Sequence, residues 1–531
     1  MSDKTEQRAG LALVLLAIVL RAAVYLDNRA FWGDEVMIAL NVRGRDLLGL
    51  LAPLDFDQTM PIPLLLMTKP LTMLLGHHEM VYRLPMFLAG CVLPILVWRW
   101  FPRVVGRVEA LIILAFIAIW QPLVYYSSEL KQYEFDALAT VMLIAVALRL
   151  FREAADPAAW RRMIGAGVVA LLVSQPSVFV LAGVACGYLA DRRIRTDRTW
   201  RNNGVRALLV WGATFLVVFF GSYRYSMDSA YMRHYWESAF LRPGPGWTER
   251  FLDAAWTLSA IHDLPGMRTI YVVPLAGLGA FFVWRRLGTP ALLLLVIPFV
   301  AVVAAAILGL YPIAGRLVLF TVPLLLWSIA SAITGFSRRF SSPAAGVAGA
   351  VIFGILWAPA TLRTVRFAAD PLPRETVRQM AHHIARVDPR APTMLLFGSY
   401  QGWAFYTGDW SKPAQLGAQT RQHFQCETDP ARPPACDRLS FVERPGAPPA
   451  LIAATPRVIS DSSDQDWADT QAGRLLALPE RRAWILYSIY NEGLVPRRLI
   501  ERILARLEAL GARIEAPVTL GESALFRVAL P

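Results

Sequence analysis

The feature that most constrains this chain is the alternation of long apolar runs with short arginine clusters. Runs such as "LALVLLAIVL" and "LLLLVIPFVAVVAAAIL" approach the roughly 20 apolar residues that cross a bilayer. With 56% hydrophobic residues over 531 positions, the chain is more apolar than an ordinary soluble domain. The expectation is an all-α polytopic membrane protein. The formal charge of +13 then reads as topology signals and lipid headgroup contacts, with no nucleic-acid partner.

Charge sets the expected topology. A first membrane helix covers about residues 10–27. The stretch "PIPLLLMTKPLTMLLG" (61–76) is short and carries Lys69 and Pro70 at its middle. Charge at mid-bilayer is costly, so an interfacial helix is the better reading. Further spans are expected near 83–98, 108–126, 134–151, 163–174, 177–190, 206–224, 268–284, 289–310, 316–334 and 343–360, about 11 in all. This arrangement puts "RWFPRVVGR", "RLFREAADPAAWRR", "DRRIRTDRTWRNNGVR", "WRRLG" and "SRRF" on one side, which positive-inside makes cytoplasmic. Residues 28–82, 125–136, 225–267, 311–316 and the tail face outward.

Two domains are expected: a membrane domain over 1–360 and an extracytoplasmic α/β domain over 361–531. In the tail, "RETVRQMAHHIARV" and "VPRRLIERILARLEALG" have helical periodicity, and "PTMLLFGS", "APPALIAATP" and "SALFRVAL" read as strands. Cys426 and Cys436 close the short loop "CETDPARPPAC", which in an oxidising compartment suits a disulfide. His77–His78 lack a spaced third ligand, so no metal site is expected.

The outward segments hold an unusual set of charges. Asp34 and Glu35 stand in "RAFWGDEVMI"; Glu129, Lys131, Glu134 and Asp136 crowd "SSELKQYEFD"; Arg83 and Arg316 begin spans. Basic residues at the outer ends of spans oppose the positive-inside trend and ask for an anionic partner. A lipid-linked phosphate is one. Carboxylates beside such cations suit transfer of a sugar from a lipid phosphate to an acceptor hydroxyl. Each residue also has a plainer role. The acid pair can cap a helix, Arg83, Arg316 and Lys69 can snorkel, Lys131 can pair with Glu129 or Glu134, and Tyr235–Trp236 can be an aromatic belt.

The order of these motifs resembles the GT-C superfamily of polyprenyl-phosphate-sugar glycosyltransferases. It looks most like the bacterial members akin to protein O-mannosyltransferases, lipid A aminoarabinose transferases and rhizobial galacturonosyltransferases. The resemblance runs over roughly residues 10–360. It is carried by "WGDEVM" after the first span, "TMPIP" opening an interfacial helix that ends at Gly76, "EMVYRLP", "LKQYEFDA" and "YPIAGRLVLFTVP". Two positions depart from the pattern: Met60 stands where the family has a basic residue, and Leu317 where an aromatic follows the arginine.

The resemblance implies a GT-C fold and an inverting transferase with Asp34 as base and Glu35 beside it. It implies donor-phosphate contacts from Arg83, Lys131 and Arg316, with Lys69 standing in for the missing basic residue. Asp136, Glu129 and Tyr311 support the site, and Tyr235 and Trp236 face the acceptor. No cofactor is required. The partners expected are an undecaprenyl-phosphate-type sugar donor, membrane lipids and a periplasmic glycan, lipid or protein acceptor. The expected place is a bacterial inner membrane, with a cytoplasmic N-terminus and a periplasmic tail. Which acid takes the proton stays open. The rivals are a lipid or glycan transporter or flippase, for which neither mid-membrane ionisable residues nor internal repeats stand out, and a non-catalytic homologue.

Overall fold

The computed structural model describes residues 3–152, 157–242, 244, 246–258, 269–340, 343–371, 374–396, 398–428, 444–453, 461–488 and 497–531. The chain starts with α1 (Asp3–Leu26), α2 (Gly33–Gly44), α3 (Ile62–Leu75), α4 (Glu79–Val104), α5 (Arg107–Ile119), α6 (Gln121–Tyr126) and α7 (Tyr133–Arg152). Helices Pro157–Val173, Ser177–Ala190, Arg198–Val218, Thr269–Leu287, Thr289–Ile307, Val322–Phe340 and Pro343–Ala369 follow. Every run expected to span is helical. Among the described residues, six helices are both long and apolar enough to cross a membrane. Large apolar side chains face outward: Val19 on α1, Val217 and Ile355 are each more than 60% exposed, as contact with lipid requires. The chain is a multi-pass membrane protein.

Several runs are less regular than their composition suggests. The run at 108–126 breaks at Trp120, ahead of Pro122, which favours the first turn of a new helix. The run at 316–334 begins as a 3-10 turn, Gly315–Thr321, before Val322–Phe340. Helix Arg198–Val218 runs into a π-helical turn, Phe219–Tyr223.

α3 is a short apolar helix of 14 residues, with Leu64, Leu65 and Thr72 buried and Leu74 80% exposed. Gly76 stops it at φ +88°, a conformation that glycine adopts without strain.

One expectation about the bundle interior changes. Arg21 on α1 is fully buried 3.7 Å from Glu134 on α7 and donates to the Ile117 carbonyl. Ionisable groups do therefore sit inside the helical core, locked to each other.

The tail forms a six-stranded sheet from β1 (Thr393–Leu396), β2 (Ala450–Ala453), β3 (Arg482–Ser488), β4 (Arg513–Ile514), β5 (Val518–Leu520) and β6 (Ser523–Ala529). The order is β2-β1-β3-β6-β4, with β5 pairing β6. β1 runs parallel to β2 and β3, and β6 runs antiparallel to β3. Alternate residues go to opposite faces. Met394 and Leu396 pack with Leu499, Ile503 and Leu507, while Leu395 packs with Ile384, Trp403 and Leu525. The expected strands at "PTMLLFGS", "APPALIAATP" and "SALFRVAL" are β1, β2 and β6. β3, "RAWILYS", lies between β1 and β6 and was not among the expected strands.

The tail packs on the loops around α2. Arg378 donates to Glu79 at 2.7 Å and to the Asn28 carbonyl. Arg421 pairs with Asp55 at 3.2 Å. Phe31, Tyr82 and Phe405 stack edge to face.

Candidate active site

Asp34 and Glu35 occupy the first turn of α2, where the helix dipole favours carboxylates. Successive helical residues do not share a face, and the two acids diverge completely. Asp34 keeps 16% side-chain exposure, and its Oδ2 accepts from Arg316 at 2.6 Å, with Lys131 Nζ at 3.9 Å. Burial opposes ionisation of Asp34, but Lys131, Arg316 and Arg374 together hold its carboxyl below the ordinary value.

Glu35 is fully buried. Arg83 donates to both its oxygens, at 2.7 and 2.6 Å, and the Leu130 backbone adds a third hydrogen bond at 2.7 Å. Burial again opposes ionisation, and Arg83 first among the charges overcomes it, so the Glu35 carboxyl also lies below its ordinary value. Arg83 spends its remaining donors on the carbonyls of Arg29 and Ala30. Arg29 in turn holds Ser128. This buried network straps the 127–132 loop to α2 and so places Lys131 beside Asp34.

Asp34, Lys131 and Arg316 meet on the wall of a cavity of about 580 Å³. Lys131 also donates to Gln58 at 2.7 Å. Val178, Phe179, Ala182, Phe215, Phe219 and Ala305 give the wall a large apolar part, and Gln132, Gln175, Ser226 and Arg233 add polar groups. Tyr311 lines it too and donates to the Leu317 carbonyl. Tyr235 and Trp236 line both this cavity and a second, of about 570 Å³, that shares Arg316 and adds Tyr125, Tyr126 and Arg374.

The remaining residues singled out in the sequence lie elsewhere. Arg83 is committed to Glu35 and does not line the cavity. Lys69 turns into the protein and donates to the Val42 carbonyl at 2.8 Å. Met60 is buried in the apolar cluster around Phe31 and Leu64. Asp136 is buried in the first turn of α7. Glu129 is fully buried, and neither of its carboxylate oxygens has a hydrogen-bond partner among the described residues. Burial, then Glu35, raises its carboxyl above the ordinary value against the pull of Arg316, Arg29 and Arg374. Cys436 and the Cys426 side chain lie outside the described residues.

Sequence reasoning missed Trp32, Gln58 and Arg374. The Trp32 ring carries the Arg374 guanidinium 3.8 Å and the Arg316 guanidinium 4.9 Å from its centroid, within cation–π range. Nothing in "PLPRETV" marks Arg374, because its partner lies in the first outward loop.

No protein-family model matches the chain, and no curated protein matches it in sequence. Among solved structures, ArnT from Cupriavidus metallidurans in the apo state aligns at 14% identity over 97% of both chains, with a TM-score of 0.51. ArnT from the same organism bound to undecaprenyl phosphate aligns at 15% identity over 97% of both chains, with a TM-score of 0.49. The apo oligosaccharyltransferase of Archaeoglobus fulgidus aligns at 10% identity over 74% of this chain and 63% of that one, with a TM-score of 0.47. Over nearly its whole length, from the first membrane helix to the tail sheet, the chain has the GT-C fold that it shares with apo ArnT.

Proposed function

We propose that this protein is an inverting membrane glycosyltransferase that takes a sugar from a polyprenyl-phosphate donor. The observation that carries the reading is the cavity: Asp34 with Lys131 at 3.9 Å and Arg316 at 2.6 Å on its wall, together with a large apolar lining. That pattern fits an amphiphile with an anionic head. The polyprenyl chain lies along Phe179, Phe215 and Phe219, and the phosphate meets Lys131 and Arg316. The acceptor approaches through the second cavity, past Tyr235 and Trp236. Inner-membrane placement, with the tail on the periplasmic side, follows from the same reading.

The chemistry divides among few groups. Asp34 accepts the acceptor hydroxyl proton as that oxygen attacks the anomeric carbon. The bond from this carbon to the phosphate oxygen breaks, and polyprenyl phosphate leaves against Lys131 and Arg316. With Glu35 buried in its pair with Arg83, a single carboxylate faces the cavity. One displacement inverts the anomeric centre, whereas retention by double displacement needs a second reacting carboxyl group. Asp34 is paired with Arg316 at 2.6 Å. An incoming phosphate competes for that arginine and frees the carboxylate when the donor is in place.

The test is transfer in membranes from a radiolabelled polyprenyl-phosphate-sugar pool, comparing wild type with Asp34→Asn. Loss of transfer in the variant is expected. Equal transfer removes Asp34 as the base, and no transfer by the wild type from any donor favours a transporter or a non-catalytic homologue.

A further inference from the structure

We infer that the C-terminal domain is a positioning element for the base, acting through Tyr406, Arg374 and Glu375 on the three residues that precede Asp34. The inference rests on Asp34 being the base. It concerns how that carboxylate is held.

A helix start leaves backbone N–H groups without partners, and a polar side chain at the N-cap usually takes one of them. In α2 the N-cap is Trp32, whose side chain accepts nothing. The missing acceptor comes from 342 residues downstream, where Glu375 Oε1 accepts from the Gly33 N–H at 3.1 Å. Trp32 itself carries the Arg374 guanidinium 3.8 Å from its ring centroid. The Phe31 N–H donates to the Tyr406 hydroxyl at 3.0 Å, and that hydroxyl donates onward to Glu79 at 2.9 Å. Residues 31, 32 and 33 are thus each fixed by a different tail side chain, and Asp34 is the next residue.

The tail groups are themselves anchored. The Arg374 carbonyl accepts from the Glu522 N–H at 2.6 Å, the Thr376 N–H donates to Ser523 Oγ at 3.0 Å, and Thr376 Oγ1 donates to the Leu520 carbonyl. Glu375 is buried, with 3% of its surface exposed. Docking alone does not call for this arrangement. Arg378–Glu79 and Arg421–Asp55 hold the domain on the loops at a distance from Asp34 in sequence, whereas the contacts at 31–33 act on the start of its own helix.

Misplacing a reacting group by about 1 Å can cost about a hundredfold in rate. The experiment measures initial rates of transfer by the full-length protein in membranes, at increasing concentrations of a radiolabelled polyprenyl-phosphate-sugar pool. Glu375→Ala is expected to lower kcat about tenfold or more while KM for the pool stays within about twofold. Glu375→Gln, which keeps an acceptor oxygen for Gly33, is expected to restore kcat. The docking control Arg421→Ala is expected to leave both constants unchanged.

Unchanged kcat in Glu375→Ala, with Asp34→Asn inactive, overturns the positioning role and leaves the base in place. Failure of Glu375→Gln to restore kcat also overturns it. Should Glu375→Ala not fold, Tyr406→Phe removes the acceptor at Phe31 and must show the same loss confined to kcat; unchanged kcat there overturns the inference. Full transfer by Asp34→Asn removes the base reading and this inference with it.

Discussion

Replacing Glu35 by Gln separates the two adjacent acids. Glu35 accepts two hydrogen bonds from Arg83 and one from Leu130, with none of its surface exposed. Glutamine keeps one acceptor oxygen but removes the charge, leaving the Arg83 guanidinium, 2% exposed, with two backbone carbonyls. Breaking a buried pair by removing one partner costs about 3–5 kcal/mol. The retained acceptor puts this variant at the lower end, about 3 kcal/mol. Asp34 keeps 16% side-chain exposure but Arg316 and Lys131 only 13% and 7%; asparagine retains an acceptor oxygen for Arg316, so Asp34→Asn costs less than Glu35→Gln, about 1–2 kcal/mol. Its effect falls mainly on turnover, where a general base contributes about 10²- to 10⁴-fold. Thermal unfolding in detergent, followed beside transfer per folded molecule, gives two separable readouts. Glu35→Gln should lower the thermal midpoint and retain turnover; Asp34→Asn should lower it less and lose turnover. The double variant Glu35→Leu with Arg83→Met should be more stable than either single change, since no charge is then stranded. An inactive Glu35→Gln protein with an unchanged midpoint would refute the reasoning and move the chemistry to Glu35.

Three further outcomes are expected. Burial lowers the Lys131 ammonium despite the opposing pull of Asp34, so its positive charge is lost below the ordinary lysine range of about 10.4. Transfer should therefore fall on the alkaline side below that pH, and Lys131→Arg, which stays charged, should remove this limb; an alkaline limb identical in both proteins would dissociate it from Lys131. Lys69→Met should keep transfer within about twofold and cost about 1 kcal/mol, the worth of one hydrogen bond; a dead variant would place Lys69 at the phosphate after all. Burial pushes the Glu375 carboxyl up to about 8, against about 4.3 in an unfolded chain. Its contribution to stability is then full below about pH 4.3 and lost as pH rises through about 8. The thermal midpoint should decline across that window in wild type and less so in Glu375→Gln, and parallel curves would falsify the assignment.

How much of this the sequence disclosed depended on whether a local rule applied. Basic residues on the outer side violate a strong trend, and this anomaly singled out Lys131 and Arg316, which the structure places beside Asp34. Arg83 passed the same filter and lies elsewhere, because its partner is decided by which way Glu35 points from α2. Adjacent helical positions diverge by about 100°, and the hydrophobic pattern of "WGDEVMIAL" does not say which of the two acids faces inward. Lys69 was ambiguous for the same reason: a long side chain on an interfacial helix can reach water or turn back to a carbonyl. The strands at the start and end of the tail were legible from short apolar runs between turn residues. β3 begins at Arg482, the last residue of the charged stretch "LPERR", whose Pro479 was not read as a turn, and was missed. The helix break at Trp120 and the 3-10 geometry up to Thr321 were not visible, since Trp120 and residues 316–321 sit within runs whose composition alone suits a continuous span. Arg374 and Glu375 carry no local signature at all, because their partners are in the first loop of the chain.

The anchoring of Arg374, Glu375 and Thr376 by residues 520–523 has a consequence for the order of synthesis. Asp34 is made early, just after the first membrane helix. The groups that fix its backbone are themselves held by the turn before β6 and the first residue of that strand, and β6 pairs with β3, β4 and β5. Contacts of such long sequence separation form late. A ribosome-bound chain therefore carries Asp34 at a helix start that lacks its tail contacts through almost the whole of its translation. On the proposed reading, the base is held in its working position only once the tail sheet has closed, so an incompletely translated copy already in the bilayer should turn over donor lipid more slowly than the complete chain.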